Sequence, residues 1–227
     1  MRARRLVGGT LALVAVLVLA GLGVWQMERR AWKLALIAQV EQRLAAVPVA
    51  APGPAAWPAV GADAAYTRVQ IRGRFVGDRD SYVQAVTDLG GGYWLMTPLR
   101  ADAGWTVLVN RGFVPADLRG KIAPPADVPV TVTGLLRTSE PGGGFLRRND
   151  PGQNRWYSRD VQAIAARQGI DAAAPYFIDS DRTGNGWPRG GMTVVRFTNN
   201  HLVYALTWFG LAALIVILSV LARRRTA

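Results

Sequence analysis

The sequence predicts an α+β fold, an antiparallel-β-rich domain with one or two helices enclosed between two membrane-spanning helices. Three observations carry this expectation. Leu6 to Val24 and Leu202 to Leu221 are runs of 19 and 20 residues without a charge. At 1.5 Å rise per residue each reaches about 28–30 Å, the thickness of a bilayer hydrocarbon core. Arginines bound both runs on their outer sides, Arg2, Arg4 and Arg5 before the first and Arg223, Arg224 and Arg225 after the second. Between the runs the hydrophobic period changes from helical spacing to two, and turn residues punctuate short segments rich in β-branched and aromatic side chains.

Taken in order, residues 1–5 form a tail and 6–25 the first span. Residues 26–200 form the extramembrane domain, 201–221 the second span and 222–227 the closing tail. Tyr204, Trp208 and Phe209 stand at interfacial depth on the second span. The first span has a rival reading as a cleavable signal peptide, with Val18-Leu19-Ala20 as a small-residue cleavage site. The apolar run continues past Ala20 to Trp25, longer than a usual signal core, which favours an uncleaved anchor. Two spans place both termini on one side and the domain on the other. Arg29, Arg30, Lys33, Arg43, Arg182, Arg189 and Arg196 on the domain side nearly balance the tail arginines. Long translocated domains largely escape the positive-inside rule, however, so the short tails decide: termini in the cytoplasm, domain outside it.

Within the domain, residues 28–46 carry helical spacing without Gly or Pro and read as a stalk helix continuing the first span. Residues 47–58, rich in Ala and Pro, read as linker. Strand signals follow at Tyr66 to Val76, Ser81 to Val86, Tyr93 to Leu99, Trp105 to Val109 and Val128 to Arg137. Gly77-Asp78, Gly90-Gly91-Gly92, Asp102-Ala103-Gly104 and Pro124-Pro125 are the turns between them. Ser158 to Gln168 reads as a helix with Ser158 as N-cap and Gly169 as its stop. Tyr176 to Asp179 and Thr193 to Thr198 are two further strands.

Composition excludes several chemistries. The 227 residues contain no cysteine, which removes disulfide scaffolds, thiolate metal sites and cysteine nucleophiles. The single histidine, His201, removes any site needing two imidazoles from one chain. The formal charge of +12 suggests nucleic acid, but half the excess lies in the two tails. The remaining basic residues are spread evenly rather than interleaved with aromatics on one face, so no nucleic-acid partner is expected. The glycine runs 90–92 and 142–144 lack the Lys-Ser/Thr of a phosphate loop and read as flexible turns. The carboxylate pairs Asp78/Asp80 and Asp179/Asp181 read as turn chemistry at strand ends. No catalytic constellation emerges, and the chain is not expected to be an enzyme.

His201 stands apart by its position at the outer end of the second span, with Tyr204, Ala205 and Trp208 below it at helical spacing. An imidazole above aromatic rings in a low-dielectric rim suits an axial ligand of a haem iron, with the macrocycle against Tyr204 and Trp208. Ala20, Gly21 and Gly23 of the first span would admit a flat ligand or the other helix. Arg29, Arg30, Lys33 and Arg196 lie where propionates would project. The plainer reading of the same residues is an interfacial histidine in an aromatic belt, with the basic side chains on lipid headgroups.

A series of motifs carries a resemblance: GVWQMERRAWK at 23–33, IRGRF at 71–75, GGYWLMTPLR at 91–100, VLVNRGFVP at 107–115, NDPGQNRWYSRD at 149–160 and NNHLVYALTWF at 199–209. In this order they resemble the Surfeit-locus protein 1 family of cytochrome c oxidase assembly factors over nearly the whole chain. Phe113 departs from the tryptophan of many members, and the linker at 47–63 is variable in length. The resemblance implies a two-span protein of a bacterial inner membrane with a periplasmic domain. It also implies partnership with haem-copper oxidase subunit I and other oxidase assembly factors, besides membrane lipids. The family histidine falls on His201, which the resemblance makes a ligand of haem a, the one cofactor expected; no other metal is. The alternative it leaves open is a structural chaperone of the oxidase subunit that binds no haem. An extracytoplasmic sensor is disfavoured because the closing tail is too short for an output domain.

Overall fold

In a computed structural model, the backbone is described for residues 2–144, 146–181, 186–193 and 199–224. The chain divides into two compact units, one of residues 1–41 and 195–227, the other of residues 42–194.

The first unit is built on two helices. Helix α1 spans Arg2–Ala45, 44 residues or about 66 Å. Helix α3 spans His201–Arg224, 24 residues or about 36 Å. Both are long and apolar enough to cross a membrane. The apolar runs recognised in the sequence lie inside them, and α1 continues through the residues read as a stalk. The helices pair antiparallel. A Cβ on Gly9 would come within 3.7 Å of Arg223 Nη2, and one on Gly23 within 2.5 Å of the Phe209 ring. On α3 the shielded stripe is His201, Ala205, Trp208, Ala212, Ile215 and Ser219, the alternating three- and four-residue spacing of a helix–helix seam.

The second unit is a small closed barrel. Its strands are β1 (Val49–Ala50), β2 (Arg68–Phe75), β3 (Ser81–Thr87), β4 (Gly90–Ala101), β5 (Thr106–Pro115), β6 (Val130–Thr138), β7 (Gly143–Gly144), β8 (Arg147–Arg148) and β9 (Ala173–Ser180). The main sheet runs β1-β2-β6-β9-β5-β4-β3, and an additional β2–β4 pairing closes it. The length of β4 makes closure possible. Its first half pairs with β3 and its end, Leu99 to Ala101, pairs with β2. Where strands converge this tightly, side chains have no room: a Cβ on Gly73 would sit 2.2 Å from Arg100 O. Alternation along each strand gives two apolar faces. One contributes Val69, Ile71, Leu99, Val107, Val109, Val132, Leu136, Tyr176 and Ile178 to a single core. The other contributes Val83, Met96, Leu108 and Phe177, which pack with Trp156 and with Val161 and Ile164 of helix α2 (Val161–Arg167).

Several sequence expectations are corrected. The sheet is not purely antiparallel, since β5 pairs with β9, and β1 with β2, in parallel. Gly90 to Gly92 begin β4 instead of forming the turn, which falls at Asp88 and Leu89. Gly143 and Gly144 form the β7–β8 hairpin, so this run too is paired strand. The N-cap of α2 is Asp160, whose carboxylate accepts from Ala163 N at 3.1 Å. Ser158 is instead buried, its hydroxyl donating to Glu140 O at 2.6 Å. Gly169, at φ +67, does stop the helix. The Ala/Pro segment is no free linker: β1 joins the sheet and a 3₁₀ turn at Pro54–Ala59 sets Trp57 edge-on to Trp105 at 5.8 Å. Pro52 O receives both Trp57 Nε1 at 3.0 Å and the Tyr176 hydroxyl at 2.6 Å, which ties the segment to the barrel. Of the strand read at Thr193 to Thr198, Thr193 is irregular and residues 194–198 lie outside the described residues.

Asp78 keeps its turn role at φ +59, whereas Asp80 accepts a hydrogen bond from Thr97 Oγ1. Burial lifts the Asp80 carboxyl above the usual range, against the opposing pull of Thr97 and Arg111. A raised folded-state value means the contribution to stability is full below the ordinary carboxyl value and is lost as pH rises through the raised one. Asp80→Asn, which keeps an oxygen for Thr97, is therefore expected to raise the unfolding temperature near neutral pH. The gain should vanish in acid below the ordinary carboxyl range. Thermal unfolding of both proteins across that range checks this.

Candidate functional site

The candidate site forms in the first unit, where the two apolar runs end at the same level. His201 is the first residue of α3, and Gln26 follows Trp25 at the end of the first run. Antiparallel pairing brings them together across 175 residues, with His201 Nδ1 2.7 Å from Gln26 Oε1. The amide oxygen only accepts, so in this contact Nδ1 is the donor, which leaves Nε2 outside the bond. This is the arrangement of metal-binding histidines, in which the nitrogen away from the metal donates to a neighbouring oxygen. Sequence reading missed Gln26. Its one signal is that it is the first polar residue past the first span, as His201 is the polar residue bounding the second.

Around this pair the residues singled out by sequence divide. Ala205, 1% exposed, and Trp208, half-buried, share the seam with His201. Tyr204 is 53% exposed and lies off that seam. Gly23 is occupied, because the Phe209 ring fills the space its missing side chain leaves. Gly21 has open space around it. Beyond Gln26 the less exposed stripe of α1 continues through Arg30 and Lys33. Arg29 is exposed, and its guanidinium stacks over the Trp32 ring at 4.6 Å. Arg30 therefore shares a face with Gln26 and Arg29 flanks it. Arg196 lies outside the described residues. Among the described residues no three His, Asp or Glu side chains gather to hold a metal ion. The site offers one imidazole, an amide that orients it, and basic side chains one and two turns along α1.

In the second unit the Asp179/Asp181 pair, read as turn chemistry, is something else. Asp179 is 3% exposed and receives Asn110 Nδ2 at 2.8 Å, Arg137 Nη1 at 2.9 Å, Arg159 Nη1 at 3.5 Å and Thr193 Oγ1 at 2.9 Å. The two guanidiniums also lie over the Phe177 ring, at 5.9 and 4.8 Å. Glu140 pairs with Arg159 at 2.6 Å. Asp181 pairs with Arg68 nearer the surface. Every oxygen of Asp179 is engaged, which makes it a structural hub that joins β5, β6 and β9. The motif at 149–160 is also built around polar anchors. Asn149 Oδ1 receives the backbone N–H groups of Tyr157 and Ser158, and Trp156 Nε1 donates to Asn154 Oδ1 at 2.7 Å.

Comparison with known proteins gives a consistent result. The SURF1 family model matches residues 13–213. Surfeit locus protein 1 of Mus musculus is 38% identical over 217 residues, covering 85% of this chain and 68% of that protein. Its Homo sapiens counterpart is 38% identical over 218 residues, covering 85% and 70%. A SURF1-like protein of Monosiga brevicollis is 35% identical over 233 residues, covering 94% of this chain and 87% of that protein. The family match reaches from within α1 through the barrel into α3, and the chain belongs to the SURF1 family.

Proposed function

We propose that this chain is a two-span assembly factor for haem-copper terminal oxidases that holds or relays haem a for insertion into the largest subunit. Family membership supports the assembly role. The His201–Gln26 pair is the observation that carries the haem reading, since an imidazole with Nδ1 already engaged leaves Nε2 as the nitrogen that would ligate the iron. In this reading His201 supplies the iron ligand and Gln26 fixes its tautomer. Trp208 and the outward Tyr204 give apolar surface beside it, and Arg30 and Arg29 pair with propionates. Haem a brings the redox-active iron that the receiving oxidase needs; this chain's part is to hold and release it. A single protein ligand suits release. The domain faces the periplasm of a bacterial inner membrane, the termini remain in the cytoplasm, and the role is not catalytic.

The second reading, a structural chaperone without haem, draws on the Phe209 ring filling Gly23, which closes the helix seam there to any flat ligand. On the haem reading the cargo therefore meets His201 from outside the seam. Membranes of cells lacking this chain test the assembly role. They are expected to lose most of their haem a oxidase absorbance and activity, and the full-length chain should restore both. Unchanged oxidase in such membranes would remove the assembly reading altogether.

A further inference from the structure

We infer that the surface around the β7–β8 hairpin is a docking site for anionic phospholipid. Leu146, at the hairpin tip, is 89% exposed and sits at φ +58. That is the left-handed region, which a bulky side chain rarely adopts and which costs free energy unless the surroundings fix it. The hairpin holds it there: Arg147 and Arg148 pair with Gly144 and Gly143. Arg147 Nη1 also donates to Gln84 Oε1 at 3.1 Å, tying the hairpin to β3. Gln84 and Val86 share the exposed face of that strand, and Val86 is 86% exposed. Leu146 at the hairpin turn and Val86 on β3 are thus two exposed aliphatic side chains on strands tied together by the Arg147–Gln84 bond.

The charge beside these tips has one sign in excess. Arg147, Arg148 and Arg155 are exposed, and no carboxylate is within ion-pair distance of any of them among the described residues. Asp150 and Asp160, the two acids of the segment 149–160, are committed elsewhere. Asp160 caps α2 and receives Gly142 N, and Asp150 receives Gln153 N within its own turn. Exposed aliphatic side chains beside arginines that no carboxylate neutralises match a headgroup layer, where guanidiniums take phosphate and the aliphatic groups reach the acyl boundary. Arg147, held by Gln84 and stacked over Tyr157, is positioned for this. A lipid surface is favoured over a protein partner because a membrane-length helix bounds the domain at either end of its sequence. The bilayer is therefore present at high effective concentration without a separate encounter.

Because the chain has no cysteine, Leu146→Cys can carry a single environment-sensitive fluorophore in the full-length protein. Asp127→Cys, at an exposed site in the loop before β6, serves as the control. Each is reconstituted in nanodiscs of phosphatidylcholine alone or mixed with phosphatidylglycerol, with and without lipid-borne quenchers. The label at 146 should shift to the blue and be quenched by lipid, more strongly in the anionic discs, while the label at 127 stays aqueous. Combining R147Q, R148Q and R155Q with the 146 label should abolish the difference between the two lipids. A 146 label that stays water-exposed in both compositions overturns the proposal and leaves this surface to a protein partner. Equal quenching in both compositions overturns it as well.

Discussion

Asp179→Ala is expected to destabilise the barrel domain by about 3–5 kcal/mol, the cost of removing one member of a buried charge cluster. The size follows from what remains. Arg137 and Arg159, with side chains 17% and 14% exposed, would keep their charges against the Phe177 ring with only Glu140 left as counter-ion. Asn110, 4% exposed, would lose the acceptor of its side-chain amide, and an unsatisfied buried donor costs free energy by itself. Asp181→Asn offers the contrast. The Arg68–Asp181 pair is about one-third exposed, so its loss should cost about 1 kcal/mol or less. Unfolding of the detergent-solubilised protein, followed by its intrinsic tryptophan fluorescence, to which the buried Trp156 contributes, separates the two. Equal effects for both variants would contradict the hub role.

His201→Ala is expected to remove haem from the purified protein while leaving membrane insertion and folding intact. The histidine is only half-buried at the end of its helix, so the stability change should be about 1 kcal/mol or less, as for surface substitutions. Gln26→Leu provides the finer test, because it touches no expected ligand atom and acts only through the imidazole. Loss of such an outer partner typically lowers metal affinity about 10–100-fold. Haem titration into the apoprotein should therefore give weaker binding for Gln26→Leu than for wild type, and weaker still for His201→Ala. Equal affinities across the three would assign the His201–Gln26 bond to helix pairing alone.

The architecture was legible where local pattern dictates it. Both membrane-length helices, the principal strands and helix α2 follow from hydrophobic period and turn residues. What escaped depends on partners distant in sequence. Asp179 reads as the polar end of a strand, because β9 is followed at once by Ser180 and Asp181. Its interior position comes from β9 lying between β6 and β5, and the arginines that neutralise it stand 42 and 20 residues upstream. The parallel β5–β9 pairing is invisible for the same reason, since the connection passes through β6 and α2. Asp160 displaced Ser158 as helix cap because the Ser158 hydroxyl was already committed to Glu140 O. At the site, His201 was legible as the only imidazole at a span boundary. Gln26 was not, because its role appears only once the two helices are set antiparallel.

On the proposed function, His201, oriented by Gln26, ligates haem a carried by this chain. The most direct measurement is the absorption spectrum of the full-length protein purified from cells that synthesise haem a. Haem a bands are expected in the wild-type protein, with the pigment lost on His201→Ala. A colourless wild-type protein, or pigment that persists unchanged in His201→Ala, would contradict the haem reading.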